Sequence, residues 1–250
     1  MLPFLLLATR AEDAAADAEY EAFLRFAGLA ELQLHRLRLE QRPLGRIDPA
    51  DWSGILIGGS PFNSSDPEES KSAVQHRVEA ELGELLDHVI AADFPFLGAC
   101  YGIGTLGTHQ GGVVDGTYGE PVGAVPITMT EAGRRDPLFA GMPATFEAFV
   151  GHKEAVRRLP GHAVLLADSP ACPVQAFKIG ENVYATQFHP ELDVPGICTR
   201  IDVYKHAGYF PATDAETIKA TARASDVVHP PRILRTFVRR YARQAPTLPR

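Results

Sequence analysis

Three things are scarce in this sequence: an excess of positive charge, cysteines in pairs, and apolar runs long enough to span a bilayer. Among 250 residues, 24 Lys and Arg face 31 Asp and Glu, a net charge of −7, which argues against general nucleic-acid binding. The three cysteines, Cys100, Cys172 and Cys198, are an odd number without disulfide or zinc spacing. They fit a reducing, cytoplasmic setting that keeps thiols free. The early apolar run 2–8 is too short for a membrane span and lacks the basic flank and cleavage site of a signal peptide, so it reads as a strand. Nine histidines show no paired spacing, and no metal or other cofactor is expected. Repeats, low-complexity stretches and linkers are also missing. What remains is an ordinary globular composition, 45% hydrophobic and 22% charged, able to bury a sizeable core.

The periodicity alternates between two kinds of element. Residues 1–9 read as a buried strand, apolar without alternation, as central parallel strands are. Tyr20, Phe23, Leu24 and Ala27 then recur at helical spacing, with Gly28 as a stop. Residues 31–39 alternate as a strand with one slip in phase, and 52–57 form another short apolar strand ending at Gly58-Gly59. Asp66-Pro67-Glu68-Glu69 predicts a helix start, with Asp66 as N-cap and Glu69 as the return arm of a capping box. Val74, Val78, Leu82, Leu85, Leu86, Val89 and Ile90 are its buried stripe, and Asp93 and Pro95 end it. After Gly112 the texture changes to short strands, at 123–130, 145–150, 163–167, 174–178 and 183–188, which reads as an antiparallel extension. The last stretch is helical: Ile233, Leu234, Phe237, Val238 and Tyr241 mark an amphipathic helix before a proline-containing tail. Arg232, Arg235, Arg239, Arg240 and Arg243 give that helix a basic face, read as solvated or as a surface for an acidic partner. Strand–helix repeats with short links predict a mostly parallel sheet covered on both faces, with function outside the carboxyl ends of its strands.

Two sites at such strand ends carry chemistry. The apolar run 95–99 leads into Gly98-Ala99-Cys100-Tyr101-Gly102, a Gly-x-Cys-x-Gly turn from strand to helix. A nucleophile at such a tip sits in strained backbone, and its neighbours two residues away must be small. The helix N-terminus beyond favours a thiolate. The other reading is a buried cysteine in a glycine-rich core turn. At the end of the last short strand stands His189-Pro190-Glu191. Proline biases His189 towards extended backbone, where residues two apart point to the same side. His189 and Glu191 thus project together, the carboxylate orienting an imidazole that serves Cys100 as base. A surface turn is the alternative.

Together, the Gly58-Gly59 turn, the cysteine elbow and Gln187-Phe188-His189-Pro190-Glu191 resemble the class I, triad-type glutamine amidotransferase family over residues 1–193. The resemblance implies an α/β fold, a flavodoxin-like three-layer α/β/α sandwich with a mostly parallel central sheet. Residues 194–250 would form a C-terminal helical extension on the same domain. It also implies Cys100 as nucleophile, His189 as general base and acid, Glu191 as its orienter, and backbone N–H groups of Gly59 and Tyr101 as oxyanion donors. The implied reaction cleaves a carboxamide through a γ-glutamyl thioester and releases ammonia. The substrate would be glutamine or a γ-glutamyl small molecule, and the ammonia would pass to solvent or to a separate synthase subunit. Substrate-binding positions carried over are Gly58, Gly104, Gly151, His152 and Lys153. Gly104 stands where relatives that use free glutamine commonly carry a Gln, and Lys153 replaces a small residue. A γ-glutamyl compound with a carboxylate paired to Lys153 is therefore an alternative to glutamine, and a solvated Lys153 is the plain reading. Cys172 and Cys198 read as structural, His109 as a packing or surface residue, and 200–206 as a lid, a specificity element or a surface helix. Two rival classes are a non-catalytic regulatory protein that binds a small molecule or partner on the same scaffold, and an elbow-cysteine peptidase.

Overall fold

A computed structural model describes residues 1–245. The proline-containing tail expected at the end falls in 246–250, outside the described residues. The first strand, β1 (Phe4–Ala8), is buried along its length, and its side chains alternate between two cores: Phe4 and Leu6 belong to one, Leu5 and Leu7 to the other. That division explains the unbroken apolar run, because a central strand has no solvent face. Helix α1 (Asp13–Ala27) ends at Gly28, whose φ of 72° lies in the left-handed region that lets the glycine close the helix. Parallel strands β2 (Leu34–Arg38) and β3 (Gly54–Ile57) flank β1. The phase slip expected in 31–39 is a 3-10 turn at Glu31–Gln33 that leaves Leu32 exposed.

Helix α2 (Ala73–Ala91) starts later than its sequence signal. Asp66 spends its carboxylate on the Asn63 amides, and Pro67 is extended at ψ 136°, so 66–70 form a turn instead of the first helical residues. Ser72 is the N-cap, its Oγ accepting from the Gln75 N–H at 3.1 Å. The expected stripe is buried from Val78 to Val89, but Val74 is exposed and Ile90 only half-buried. Strand β4 (Phe96–Ala99) then pairs with β3 in parallel and feeds helix α3 (Tyr101–His109).

The antiparallel part follows: β5 (Val113–Asp115), β6 (Glu120–Met129), the short α4 (Glu131–Arg135), β7 (Thr145–His152), β8 (Ala155–Arg158), β9 (Val164–Asp168), β10 (Ala176–Ile179) and β11 (Val183–Thr186). Among the described residues, nine strands form one sheet in the order β2-β1-β3-β4-β11-β10-β9-β6-β7, while β5 and β8 pair separately. Strand β11 returns to lie parallel to β4, which brings the end of the extension beside the cysteine elbow. The remaining helices are α5 (Val194–Tyr204), α6 (Ala215–Arg223) and α7 (Pro231–Tyr241). Helices α1 and α7 pack on one face of the parallel strands and α2 and α3 on the other, giving the three-layer, flavodoxin-like arrangement. Ile233, Leu234, Phe237 and Val238 of α7 point into the core, as their spacing predicts. Arg232 and Arg243 bond to the backbone carbonyls of Gly141, and of Pro49 and Trp52. Among the described residues no helix is long and apolar enough to cross a membrane.

Candidate active site

The elbow is built by close approach. Cys100 has φ 53° and ψ −92°, a conformation non-glycine residues rarely hold, and it sits as the residue before α3. A Cβ on Gly98 would stand 2.9 Å from the Gly102 backbone, so the chain can fold back on itself only with glycine there. The N–H of Cys100 is tied to Thr186 O at 2.8 Å, coupling the elbow to β11. The sulfur is therefore presented by backbone held from two sides.

His189 follows β11, its N–H bonded to Phe149 O at 3.0 Å. Its Nδ1 lies 2.7 Å from Glu191 Oε1, both side chains almost fully buried, and Arg200 Nη1 is 3.0 Å from the same nitrogen. A single Nδ1 cannot donate to Glu191 and accept from Arg200 together. The shorter contact to a carboxylate assigns the proton to Nδ1, leaves the Nε2 lone pair free, and satisfies Arg200 through Glu191 at 2.9 Å and Glu19 at 3.0 Å. A Cβ placed on Gly59 would lie 2.5 Å from Arg10 Nη2, 2.7 Å from His189 Cε1 and 3.6 Å from Cys100 Cβ. The absent side chain of Gly59 is thus the point where guanidinium, imidazole and thiol-bearing carbon meet. Neither the Gly59 nor the Tyr101 N–H reaches a protein acceptor among the described residues.

Burial pushes the Cys100 thiol up to about 12, opposed by the cations of Arg10 and Arg200. Burial also lowers His189, and Arg200 and Arg10 lower it further against the pull of Glu191. Burial would raise Glu191, but His189 and Arg200 hold it well below the usual carboxylate range. The resting pair is therefore a neutral thiol beside a neutral imidazole, with the carboxylate ionised.

Cys100, His189, Arg10 and Gly151 share a cavity of about 50 Å³. Its roof comes from beyond residue 193: Ile197, Arg200, Ile201 and Tyr204 of α5, then Tyr209 and Phe210. A larger groove of about 750 Å³ between 44–49 and α2 contains none of these groups.

The other positions taken from the resemblance are dispersed. Gly58 faces Glu19, whose Oε2 would be 2.5 Å from a Cβ there. Gly104 faces Glu154: the carboxylate, 2.6 Å from where a Cβ would be, fills the space a longer side chain would need and accepts from Ser64 N and Ser65 N at 2.9 and 2.7 Å. Burial raises Glu154. Lys153 donates to Ala207 O at 3.0 Å and lies over the Tyr209 ring, so it fastens the roof segment. His152 turns away from the cavity. Its Nε2 is 2.9 Å from Glu120 Oε2 and its Nδ1 2.8 Å from Glu154 O. Glu120, His152 and Cys172 bring potential metal-ligand atoms within 4.8 Å of one another, which histidine spacing alone does not reveal. Gln175 Nε2 also donates to Glu120, at 2.6 Å, and Cys172 Sγ to Val174 O. His109 bonds Asp87 at 3.0 Å on the surface side.

Arg10, Glu19 and Glu154 are the residues of this region that sequence reasoning misses. Arg10 has a signal, since it lies two residues beyond Ala8 at the carboxyl end of β1. Glu19 has another, a carboxylate among Ala15, Ala16, Ala22 and Phe23 on the buried face of α1.

Strand ends that gather an elbow cysteine, an imidazole and a carboxylate on a mostly parallel sheet define an α/β sandwich of the cysteine-elbow class. The family model "Glutamine amidotransferase class-I" matches residues 28–194, and the chain belongs to that family. It is 26% identical to a glutamine-hydrolyzing GMP synthase of Neisseria meningitidis over 60% of this chain and 26% of that one, so the match spans about a quarter of that relative. It is 28% identical to a protein of Methanothermobacter thermautotrophicus named as one subunit of a glutamine-hydrolyzing GMP synthase, over 60% of this chain and 71% of that protein. In fold it is similar to a glutamine amidotransferase of Thermotoga maritima, with a TM-score of 0.76, 20% identity, and coverage of 96% of this chain and 98% of that one.

Proposed function

We propose that this chain is an amidohydrolase that cleaves the side-chain amide of glutamine or of a γ-glutamyl compound, with Cys100 as nucleophile, His189 as base and acid, and Glu191 as orienter. His189 Nε2 takes the thiol proton, and the sulfur attacks the carboxamide carbon. The oxygen, now negative, accepts from the N–H groups of Gly59 and Tyr101. Collapse returns the proton to nitrogen and expels ammonia from glutamine, or the amine from a γ-glutamyl compound, leaving a γ-glutamyl thioester. A water deprotonated by His189 then attacks the thioester carbon, and glutamate and the free thiol are released. The observation that carries this reading is the cysteine at φ 53° sharing one cavity with an imidazole whose other nitrogen is bound to a buried carboxylate.

A second Cys–His–Glu group, Cys172, His152 and Glu120, does not support the same role. Cys172 has no exposed surface, burial pushes its thiol up to about 12, and its sulfur already donates to Val174 O. One observation favours a γ-glutamyl compound over free glutamine: Glu154 occupies the space beside Gly104. A relative named as one subunit of a synthase supports transfer of the ammonia to a synthase partner. The test is a screen of glutamine and γ-glutamyl compounds for ammonia and glutamate, with and without a candidate synthase. A glutamine-mimicking chloroketone should label Cys100 and spare the Cys100→Ala variant. Folded protein that neither labels nor releases ammonia would favour a binding or regulatory role.

A further inference from the structure

Arg10 is a buried guanidinium with one arm left open. Its Nε donates to Glu19 Oε1 at 3.0 Å and its Nη1 to the Tyr204 hydroxyl at 3.1 Å. Its Nη2 meets no acceptor among the described residues. The residue is only 4% exposed, and what it exposes faces the cavity that holds Cys100 and His189. A buried donor without a partner is costly, so one left open in a cavity marks a place where an anion forms or binds. The fork cannot swing away, because Glu19 is itself gripped by Arg200 Nη2 at 3.0 Å and Tyr204 donates onward to Glu12 at 2.9 Å.

We propose that Arg10 is the fixed counter-charge of the cysteine–histidine pair, stabilising the sulfur as it becomes a thiolate and keeping the imidazole neutral until it takes that proton. The inference rests on the reading of Cys100 and His189 given above. The groups that bear on Cys100 come from several elements: Arg10 after β1 and Arg200 on α5 favour its anion, whereas Glu191 and Glu154 oppose it. Of these, Arg10 is the strongest favourable charge, and the point at Gly59 brings it into the same small space as the cysteine. The covalent step is unchanged: the S–H proton moves to His189 Nε2, the sulfur lone pair forms the bond to carbon, and Arg10 acts through its charge without losing a proton. Holding Glu19 and Arg200 in one chain of ion pairs also makes α5 part of the site's charge balance.

The test measures alkylation of Cys100 by iodoacetamide across pH 6–9, with the modified peptide quantified by mass spectrometry so that Cys198 does not interfere. Arg10→Lys keeps the charge. Arg10→Met with Glu19→Gln removes it without leaving a buried carboxylate short of a partner, and circular dichroism checks that both variants fold. An opposite charge at this range shifts a thiol by about one pH unit or more, so the double variant should alkylate about tenfold more slowly at each pH and Arg10→Lys within about threefold of wild type. Equal rates in folded wild type and double variant would overturn the proposal. So would unchanged alkylation with a raised KM, which would make Arg10 a substrate-binding group. A wild type that never releases glutamate from glutamine or a γ-glutamyl compound while the alkylation difference persists would sink the hydrolytic reading and leave this one standing.

Discussion

The protein contains two Cys–His–Glu groups, and their surroundings differ more than their residues. Around Cys100 the backbone is strained, the N–H groups of Gly59 and Tyr101 lack protein acceptors among the described residues, and a cavity reaches the side chains. Around Cys172 the donors are all met, His152 on Glu120 and a carbonyl, Gln175 on Glu120 and Ser169, the thiol on Val174 O, and only the acceptor Gln175 Oε1 of this group is left without a partner among the described residues. The second group is a buried hydrogen-bond network that joins β6, β7 and the 169–175 turn. What separates them is the presence at the first of unmet donors and open space, which is what a developing charge needs. Residue types alone do not make a site.

The sharpest way to break this contrast is to remove each sulfur. Cys100→Ala should lower ammonia release by about a thousandfold or more, as loss of a nucleophile does. Cys172→Ala should keep the rate within about threefold and alter only stability, by about 1 kcal/mol. The reverse pattern in a coupled ammonia assay would move the active centre to the second group. Next, His152→Ala should cost about 1–3 kcal/mol because it removes one close partner of the buried Glu120 carboxylate and leaves it to Gln175 Nε2. The check is a shift of the urea midpoint with unchanged slope. Gly104→Gln should cost about 1–3 kcal/mol, since its Cβ would stand 2.6 Å from Glu154 Oε1. Adding Glu154→Ala should recover part of that loss, and simple additivity in the double-mutant cycle would count against the fit between these two positions.

The smallest effect concerns pH. His189 is lowered from 6.5 by burial, helped by Arg200 and Arg10, so the imidazole is the free base at neutral pH. The kcat/KM profile should fall on the acid side with a midpoint below 6.5 as that base becomes protonated. A midpoint above 6.5 would show that the carboxylate of Glu191 outweighs burial and the two guanidinium groups.

Much of the scaffold is legible along the chain. Apolar runs at 1–9, 52–57 and 95–99 correspond to β1, β3 and β4, and Gly28 ends α1, because burial on both faces and a left-handed stop leave local marks. The start of α2 is not legible, because Asp66 can cap a helix or close a turn onto Asn63, and local sequence does not choose between them. The short β5 and β8 leave no clear pattern, being only three and four residues long. At the site, His189 and Glu191 do pair, but through a turn closed by the Leu192 N–H on His189 O at 3.3 Å and not through the extended chain that the proline bias suggests, so the sequence makes the pair legible and its geometry not. Arg10, Glu19 and Arg200 are spread over most of the chain, and their ion pairs exist only once α1 and α5 meet. The stretch 200–206 stands out for its polar and aromatic density, and Arg200 and Tyr204 from it do reach the cavity.

Local chemistry by itself determined the alternating strands and helices, the tight glycine–cysteine turn, and the carboxylate beside its histidine, because each needs only neighbours a few residues away. Folding in three dimensions decided which of two similar residue triplets faces open space, that Glu154 takes the room beside Gly104, and that a guanidinium from beyond the first strand's end lines the cavity of Cys100. Those outcomes depend on long-range burial, which sets solvent access and the strength of each charge, and no short stretch of sequence encodes it.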